Sequence, residues 1–251
     1  IETGQALEFV QQALGLEHVQ VMGLHAHVGS QVFASTVFYD TADIMLRFLA
    51  ELKEKLGWEA EMLNLGGGYG VRYTEQDPTV DIGYELSTVG RHIKEGCARL
   101  GLAEPMVLME PGRSMVADGG MPLYTVQSTK RIPGYRSYVA IDGGMTDNPR
   151  YALYRSAYTV YLANKMDAPR DFVCTVGGRC CESGDMIQEN VPLPEPERGD
   201  ILAVCTTGAY NYSMSSNYNS IPRPPIVMVD GERDYVAVRR ETFEDLAARE
   251  V

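Results

Sequence analysis

Residues 60–70, AEMLNLGGGYG, join a short apolar run to three consecutive glycines. This pattern predicts a buried strand that ends in a tight turn. Predicted helices and strands alternate on both sides of this stretch. Residues 38–57 and 87–101 have the spacing of amphipathic helices, and residues 19–30 and 105–114 are predicted to be further strands. Buried strands that alternate with helices are typical of parallel α/β structure.

The sequence opens with a predicted helix. Thr3 occupies the expected N-cap position, and apolar residues follow it at helical spacing. Because the first residue is not Met and the alternating pattern is already under way, we interpret the sequence as a fragment of a longer polypeptide.

The sequence pattern changes in the second half of the chain, where glycine and proline separate short apolar runs. The runs cover residues 122–132, 136–144, 158–163, 171–178, 200–208 and 224–238. Short strands divided by turn residues predict an all-β sandwich or barrel. Residues 239–250 are predicted to form a short closing helix. The predicted domains are therefore residues 1–120, which are α/β, and residues 121–251, which are all-β.

Composition argues against several kinds of partner. With 22 Lys and Arg against 34 Asp and Glu, the net charge is −12, which disfavours nucleic acid and anionic membrane surfaces. No apolar run reaches the roughly 18 residues of a membrane span. The five cysteines are an odd set without a CxxC motif, which is not a disulfide framework and favours a cytoplasmic location.

Polar or glycine clusters end the three predicted strands of the first half. These clusters are His27-Val28-Gly29-Ser30-Gln31, Gly66-Gly67-Gly68 and Glu110-Pro111-Gly112-Arg113. Taken singly, they have ordinary explanations as a structural histidine, a tight turn and an incidental ion pair. In a (β/α)₈ barrel, however, such strand ends converge on the active site. Together they fit a phosphate-bearing aromatic cofactor, because glycine N–H groups can approach phosphate, an imidazole can stack on a ring, and a carboxylate can keep a pyridine nitrogen protonated.

Seven motifs, in this order, resemble the diaminopimelate decarboxylases. They are HAHVGSQ (25–31), LNLGGGYG (63–70), MEPGRS (109–114), GGMTDNPRYALY (143–154), CESGD (181–185), GAYNYSMSSNYN (208–219) and RP (223–224). That family belongs to the fold-type III pyridoxal-phosphate (PLP) decarboxylases, which pair an alanine-racemase-like (β/α)₈ barrel with a C-terminal β domain. The resemblance runs from about residue 1 to 250 and implies that residues 1–120 are the C-terminal portion of the barrel. It also implies decarboxylation of meso-2,6-diaminopimelate to L-lysine and carbon dioxide, the last step of lysine biosynthesis, by a homodimer with shared active sites.

The same resemblance implies a role for each matching residue. His27 would stack on the PLP ring, and Glu110 would face its pyridine nitrogen. The phosphate would be surrounded by Ser30, Gly66, Gly67, Gly68, Tyr210 and the Pro111-Gly112-Arg113 segment. The distal carboxylate of the substrate would be held by Arg113, Arg150 and Tyr154. Tyr210 would also contact the substrate, and Glu182 would accept hydrogen bonds from its distal ammonium group. Arg150 and Tyr154 are four residues apart, so one helical turn would place them on one face.

The stretch 179–185, RCCESGD, has several possible meanings. A metal site would need further ligands at coordinating spacing, and none lie nearby, so no metal is predicted. Adjacent cysteines rarely form a disulfide, and a buried inert cysteine is the ordinary interpretation. The resemblance implies instead that Cys181 reaches into the partner subunit's active site and protonates the substrate carbon after carbon dioxide leaves. It gives no role to Cys180.

The lysine that binds PLP covalently in this family has no counterpart among Lys53, Lys55, Lys94, Lys130 and Lys165. A complete barrel takes about 250 residues, so we expect only the last three of its eight strands here. We therefore expect the 251 residues alone to be inactive. One alternative is a sister decarboxylase acting on carboxynorspermidine, ornithine, arginine or an acylated amino acid, and another is a non-catalytic homologue that binds partners. NPRYALY followed by CESGD argues against the first, and the intact cysteine and glycine clusters argue against the second.

Overall fold

A computed structural model describes residues 1–251. The chain divides into two compact units, and each is described by itself. The first unit contains residues Ile1–Arg72 and Gln76–Met115, and the second contains Tyr73–Glu75 and Val116–Val251. No helix is long and apolar enough to cross a membrane.

Helices and parallel strands alternate in the first unit, as predicted. The elements are α1 (Gln5–Leu14), β1 (Gly23–His25), α2 (Ser35–Leu56), β2 (Met62–Asn64), α3 (Ile82–Leu100), β3 (Met106–Leu108) and the short α4 (Gly112–Val116). The strands pair in the order β1-β2-β3, all parallel, with Gly23 opposite Met62 and Met62 opposite Met106. Each parallel pair is joined through a helix, which is the connection that parallel strands require.

The core of the first unit lies between this sheet and its helices. Phe38, Leu46 and Leu52 of α2 are buried, and they belong to one apolar cluster with Leu63 of β2 and Ile93 of α3. Full burial of such a side chain stabilises the fold by about 1.5–3 kcal/mol. Ile44, in the same helix, is 52% exposed and lies outside this core.

The predicted strands are longer than the observed ones. Each of the three observed strands has three residues, because the chain leaves the ladder at the polar or glycine cluster that follows. The prediction of strand is wrong for residues 112–114, which begin helix α4 directly after Pro111. Proline is well suited to the start of a helix, since it lacks the N–H that would be unpaired there.

Helix starts also differ from the predictions. Helix α1 has Gly4 as its N-cap instead of Thr3, whose hydroxyl donates to Gln5 Oε1. Helix α2 begins three residues earlier than predicted. Helix α3 begins five residues earlier, because the side chain of Asp81 caps it by accepting the N–H of Tyr84 at 3.0 Å.

The second unit is built mainly of β-strands, as predicted, although the strand at Met186–Leu193 was not among the predicted runs. They are β4 (Leu123–Ile132), β5 (Arg136–Ile141), β6 (Val160–Leu162), β7 (Phe172–Gly177), β8 (Met186–Leu193), β9 (Ile201–Val204), β10 (Ile226–Asp230) and β11 (Arg233–Val238). The first six form one sheet in the order β6-β9-β4-β5-β7-β8, in which only β5 and β7 pair in parallel. Its two end strands, β6 and β8, approach each other, so the sheet curls into a nearly closed barrel. Strands β10 and β11 form a separate antiparallel hairpin.

Two short helices complete the second unit: α5 (Arg150–Tyr154) and α6 (Phe243–Ala247). Helix α6 is shorter than the predicted 239–250. Thr242 and Asp245 form a capping box that fixes its start, and the guanidinium of Arg239 pairs with Asp245 from outside the helix.

Three residues from the middle of the first unit's sequence belong to the second unit. The carbonyl oxygen of Tyr73 accepts from both the N–H (3.0 Å) and the hydroxyl (2.8 Å) of Thr159, the residue before β6. The Tyr73 ring packs edge-on against Tyr158, with 5.4 Å between ring centroids. The segment Tyr73–Glu75 is therefore part of the second unit's packing.

Candidate active site

Asn64, the last residue of β2, connects two of the predicted clusters in the first unit. Its Nδ2 donates to Glu110 Oε1 at 2.7 Å, and its Oδ1 accepts the N–H of Gly66 at 2.8 Å. The same Glu110 oxygen lies 3.7 Å from Nε2 of His25, the last residue of β1. The ends of the three parallel strands therefore meet at the Glu110 carboxylate.

The glycines are needed because the strand-end loops pack backbone against backbone. A Cβ on Gly67 would lie 1.9 Å from the carbonyl oxygen of Glu110, and one on Gly68 would lie 2.1 Å from that of Gly29. The N–H of Gly67 points at Nδ1 of His27 (3.4 Å), which places the imidazole beside the glycines. The N–H of Gly68 forms no hydrogen bond within the chain.

A buried positive charge lies in the same unit. Arg113, in α4, is only 7% exposed, and its Nη2 donates to the hydroxyl of Ser30 at 2.9 Å. Two of the predicted phosphate ligands, which are 83 residues apart in sequence, are thereby brought together. A guanidinium next to a hydroxyl suits an anionic oxygen, because charge-assisted hydrogen bonds are the stronger kind.

Gln31 connects the loop after β1 to the glycine segment, which comprises residues 66–71. Its side-chain amide donates to the carbonyl of Val71 and accepts the N–H of Val71, both at 3.0 Å. Val32 adds two backbone bonds, one to Gly68 and one from Gly70. Neither Asn64 nor Gln31 was predicted to have a role. The signal that could have found them is their position at a strand end, next to the glycines or the histidine.

Arg150 is the centre of a second cluster, which lies in the second unit. It is 7% exposed, and its guanidinium carbon lies 5.2 Å from the ring centroid of Tyr154 and 5.7 Å from that of Tyr210. Arg150 and Tyr154 are the first and last residues of α5. Arg150 Nε is buried without a hydrogen-bond partner, whereas the two tyrosine side chains are largely accessible.

Tyr158 and Asn211 lie behind this arginine and were not predicted. Burial raises the pKa of the Tyr158 hydroxyl, and the positive charge of Arg150 offsets part of that increase. Both amide atoms of Asn211 are buried without a geometrically good partner. The Tyr158 hydroxyl interacts with the side chains of both Arg150 and Asn211, so these three polar groups form one buried cluster.

The two adjacent cysteines of the second unit are in different environments. Cys181 is exposed, and its N–H donates to Asn219 Oδ1 at 2.8 Å. Cys180 is half-buried, and burial together with the nearby Asp185 carboxylate raises its pKa to about 11. Cys180 is therefore a neutral thiol. Glu182 is exposed and its Oε1 accepts the N–H of Gly184 at 3.3 Å.

No lysine lies in the loop that directly follows β1, β2 or β3. Lys53 binds Gly101 and Glu59, Lys55 pairs with Glu51, Lys94 with Glu104, and Lys165 with Asp200, while Lys130 lies within β4. No group of three or more His, Cys, Asp or Glu side chains is placed to hold a metal ion.

Comparison with known proteins extends these observations to nearly the whole chain. Residues 1–117 match the family described as pyridoxal-dependent decarboxylase, pyridoxal binding domain. The diaminopimelate decarboxylase of Bacillus subtilis is 44% identical over 246 residues, which are 98% of this chain and 56% of the relative. That of Mycobacterium tuberculosis is 34% identical over 260 residues, with 100% and 58% covered. The chain spans about half the length of the curated relatives it matches.

Solved structures agree with the sequence relatives. Diaminopimelate decarboxylase from M. jannaschii, in complex with L-lysine, matches with a TM-score of 0.89 and 32% identity over 100% of this chain and 56% of that chain. The Helicobacter pylori enzyme, also with L-lysine, matches with a TM-score of 0.84 and 29% identity over 97% and 58%. The predicted fold class, part of an alanine-racemase-like barrel followed by a β domain, is confirmed. The chain belongs to the diaminopimelate decarboxylase family of pyridoxal-dependent decarboxylases.

Proposed function

We propose that the protein to which this chain belongs removes carbon dioxide from meso-2,6-diaminopimelate and yields L-lysine, the last step of lysine biosynthesis. The observation that carries the proposal is the convergence of the Glu110 carboxylate and the Arg113–Ser30 pair on the loops around the glycine segment. One of these groups suits a protonated ring nitrogen and the other suits a phosphate. The relatives from B. subtilis and M. tuberculosis and the lysine-bound structures support the substrate class.

The residues of the first unit fit PLP. The glycine segment gives bare backbone within reach of an anion, and the Gly68 N–H is available to it. Arg113 and Ser30 supply charge and a hydroxyl, with Gly112 and Pro111 forming the turn that positions Arg113. Glu110, held by Asn64, would keep the proton on the pyridine nitrogen, and His27 would stack on the ring. When bound, PLP supplies an electron sink for the charge left on the substrate carbon when carbon dioxide departs.

Residues of the second unit would handle the substrate. Arg150 would bind the distal carboxylate as a two-pronged fork, with the hydroxyls of Tyr154 and Tyr210 beside it. Glu182 would accept from the distal ammonium. Cys181 is the exposed thiol, and we propose that it donates a proton to the substrate carbon. Cys180, which is half-buried and held neutral by its raised pKa, takes no part.

We also propose a cytoplasmic homodimer in which each Cys181 serves the partner subunit's site. The family resemblance of the CESGD motif and the free state of all five cysteines support this. The 251 residues alone are expected to be inactive, since none of the five lysines lies in a loop directly after β1, β2 or β3: three lie within α2 and α3, and two lie in the second unit.

A substrate panel tests the proposal. The whole protein, saturated with PLP, is assayed for carbon dioxide and amine products with meso-diaminopimelate, lysine, ornithine, arginine and carboxynorspermidine. We expect kcat/KM to be highest for meso-diaminopimelate and the product to be L-lysine. A higher kcat/KM for any other member of the panel would refute the assignment.

A further inference from the structure

Asp185 ends the CESGD motif and is a buried carboxylate, 5% exposed, next to the start of β8. Its Oδ1 accepts the N–H of Met145 and its Oδ2 accepts the N–H of Cys180, both at 2.6 Å. These N–H groups belong to two different loops of the second unit. The first, residues 143–149, leads into Arg150, and the second, residues 178–184, carries Cys181.

Two glycines make room for this carboxylate. A Cβ on Gly144 would lie 2.4 Å from Oδ1 of Asp185, and a Cβ on Gly178 would lie 2.3 Å from both carboxylate oxygens. The backbone N–H of Gly178 also donates to the Asp185 carbonyl at 2.9 Å. The carboxylate is thus enclosed by bare backbone from both loops, and any larger residue at either glycine would push it out.

The bridge fixes each loop close to a proposed functional side chain. Cys180 immediately precedes Cys181, and the N–H of the preceding residue, Arg179, donates to Gly143 in the other loop at 3.1 Å. On the other side, Met145 lies inside a turn closed by the N–H groups of residues 147 and 148, both of which donate to Gly144. Helix α5 and Arg150 follow directly after this turn.

We propose that Asp185 is a positioning residue, which holds two loops in place through their backbones: the loop that presents Arg150 and the loop that presents Cys181 to the partner subunit's site. It touches no substrate itself. The inference rests on the proposed function, in which Cys181 donates the proton and Arg150 binds the distal carboxylate. Both side-chain oxygens must accept a hydrogen bond here, because each faces a backbone N–H. An asparagine in its place would turn an N–H₂ group toward one of the two amides and lose that bond.

Asp185→Asn in the whole protein tests the inference, with Asp200→Asn as the matched control. Asp200 is equally buried, 5% exposed. Its carboxylate accepts the N–H of Glu197 and the Nδ2 of Asn164 and pairs with Lys165 at 2.8 Å, and none of these residues lies in either of the two loops. Amide hydrogen exchange at Met145 and Cys180 is measured together with kcat and KM for meso-diaminopimelate, at a temperature at which all variants are folded. Asp185→Glu is included because it keeps the carboxylate but lengthens the side chain by one methylene, in a space where even a Cβ on either glycine would meet the carboxylate.

We expect Asp185→Asn to speed exchange at Met145 and Cys180 by about tenfold or more, since the carboxylate protects both amides. We expect kcat to fall about tenfold to a hundredfold with a rise in KM, because the proton donor and the carboxylate-binding group are both displaced. Asp185→Glu should not restore either quantity. Asp200→Asn should leave both amides unchanged and the kinetic constants within about twofold, because its bonds lie outside the two loops.

Unchanged exchange at Met145 and Cys180, or equal effects of the two asparagine variants, would overturn the inference. If both amides respond as expected but the unsubstituted protein releases no carbon dioxide, the proposed function is wrong while the coupling of the two loops stands. Should Asp185→Asn not fold, Gly178→Ala displaces the same carboxylate from its other side, and the same two amides then report on the bridge.

Discussion

The side chains of Asn64 and Glu110 form a 2.7 Å hydrogen bond between the ends of neighbouring parallel strands. The amide of Asn64 holds the glycine segment with its oxygen and the carboxylate of Glu110 with its nitrogen. A single side chain with one acceptor and one donor group thereby fixes two of the groups that we propose for the cofactor. Leu or Val, the usual residues of a buried parallel strand, could do neither.

Asn64→Asp should weaken PLP binding in a pH-dependent way. The new carboxylate still accepts from Gly66, but it places a second negative charge beside Glu110. Loss of a hydrogen bond to a charged group costs about 1.5–3 kcal/mol, so we expect the Kd for PLP to rise about tenfold or more at about pH 8. The rise should shrink as the pH is lowered, because one of the two carboxyls then takes up a proton.

Titration of PLP binding by absorbance at several pH values measures this effect. Asn64→Ala is the control, since it loses both hydrogen bonds but adds no charge and should weaken binding equally at each pH. Identical pH profiles for the Asp and Ala variants would contradict the proposed role of the contact.

Gly67→Ala and Gly90→Ala should change stability in opposite directions. A methyl group on Gly67 would meet the Glu110 carbonyl at 1.9 Å, which forces backbone to move and costs about 2 kcal/mol or more. Gly90 is exposed within α3 with no atom near its would-be Cβ, so alanine there should stabilise the helix by about 0.5–1 kcal/mol. Denaturant unfolding of both variants checks the prediction. Equal midpoints would mean that the close approach at Gly67 is not structurally required.

Cys181→Ala should abolish turnover without loss of the cofactor. Removal of a general acid costs about 10²–10⁴ in rate, whereas PLP absorbance should be unchanged because no proposed cofactor contact is lost. Cys180→Ala is the matched control and should be close to the unsubstituted protein, since Cys180 is a half-buried neutral thiol. Near-normal carbon dioxide release by Cys181→Ala would remove this thiol from the proposed mechanism.

Arg150→Ala should damage selection for a distal carboxylate. Loss of a charged hydrogen bond in a closed site lowers kcat/KM for meso-diaminopimelate about tenfold to a hundredfold. Arg155→Ala is a suitable control, because this arginine ends the same short helix but lies over the ring of Tyr151 instead. If Arg150→Ala keeps the normal preference for diaminopimelate over lysine and ornithine, another residue binds the distal end.

Glu189 should contribute stability that is lost in acid. Its hydrogen bond from the Tyr151 hydroxyl (2.5 Å) and its pairing with Arg136 (2.6 Å) hold its pKa below 4.5. The folded state therefore binds fewer protons than the unfolded state near that pH, and stability falls as the pH drops below 4.5. Because Tyr151 lies in α5, the loss should loosen the helix that carries Arg150.

Thermal unfolding between about pH 3 and pH 6 measures this contribution. Glu189→Gln should flatten the pH dependence of Tm in this range. Glu232→Gln, in the turn of the exposed β10–β11 hairpin, should leave it unchanged. An undiminished acid slope in Glu189→Gln would show that other carboxylates cause it.

Local patterns were sufficient to predict most of the order of helices and strands. The apolar spacing of α2 and α3 and the short runs of β4 to β7 and of β9 each lie within one element, so they can be recognised without knowledge of the fold. Strand β8 was not predicted, because polar residues and a proline interrupt its sequence. The convergence of His27, the glycines and Glu110 followed from a rule about where parallel strands end. The predicted strands were too long because each prediction included the polar or glycine cluster that follows the apolar run. In the structure each strand ends before its cluster.

The supporting residues could not be predicted, because their importance depends on partners far away in sequence. Asn64 and Glu110 are 46 residues apart, Gln31 and Val71 are 40 apart, and Asp185 and Met145 are 40 apart. Asparagine, glutamine and aspartate are common at turns and strand ends for purely local reasons. Only the folded arrangement distinguishes those that join two loops from those that cap one.

The contact of Tyr73 with Thr159 and Tyr158 has a consequence for the exchange of parts between homologous enzymes. A crossover placed near residue 116 would join the second unit to a foreign Tyr73–Glu75 segment inherited with the first. Because that segment packs within the second unit, a chimera would keep its fit only where both parents agree at residues 73–75. We therefore expect functional chimeras of two relatives to take residues 73–75 and the β domain from the same parent.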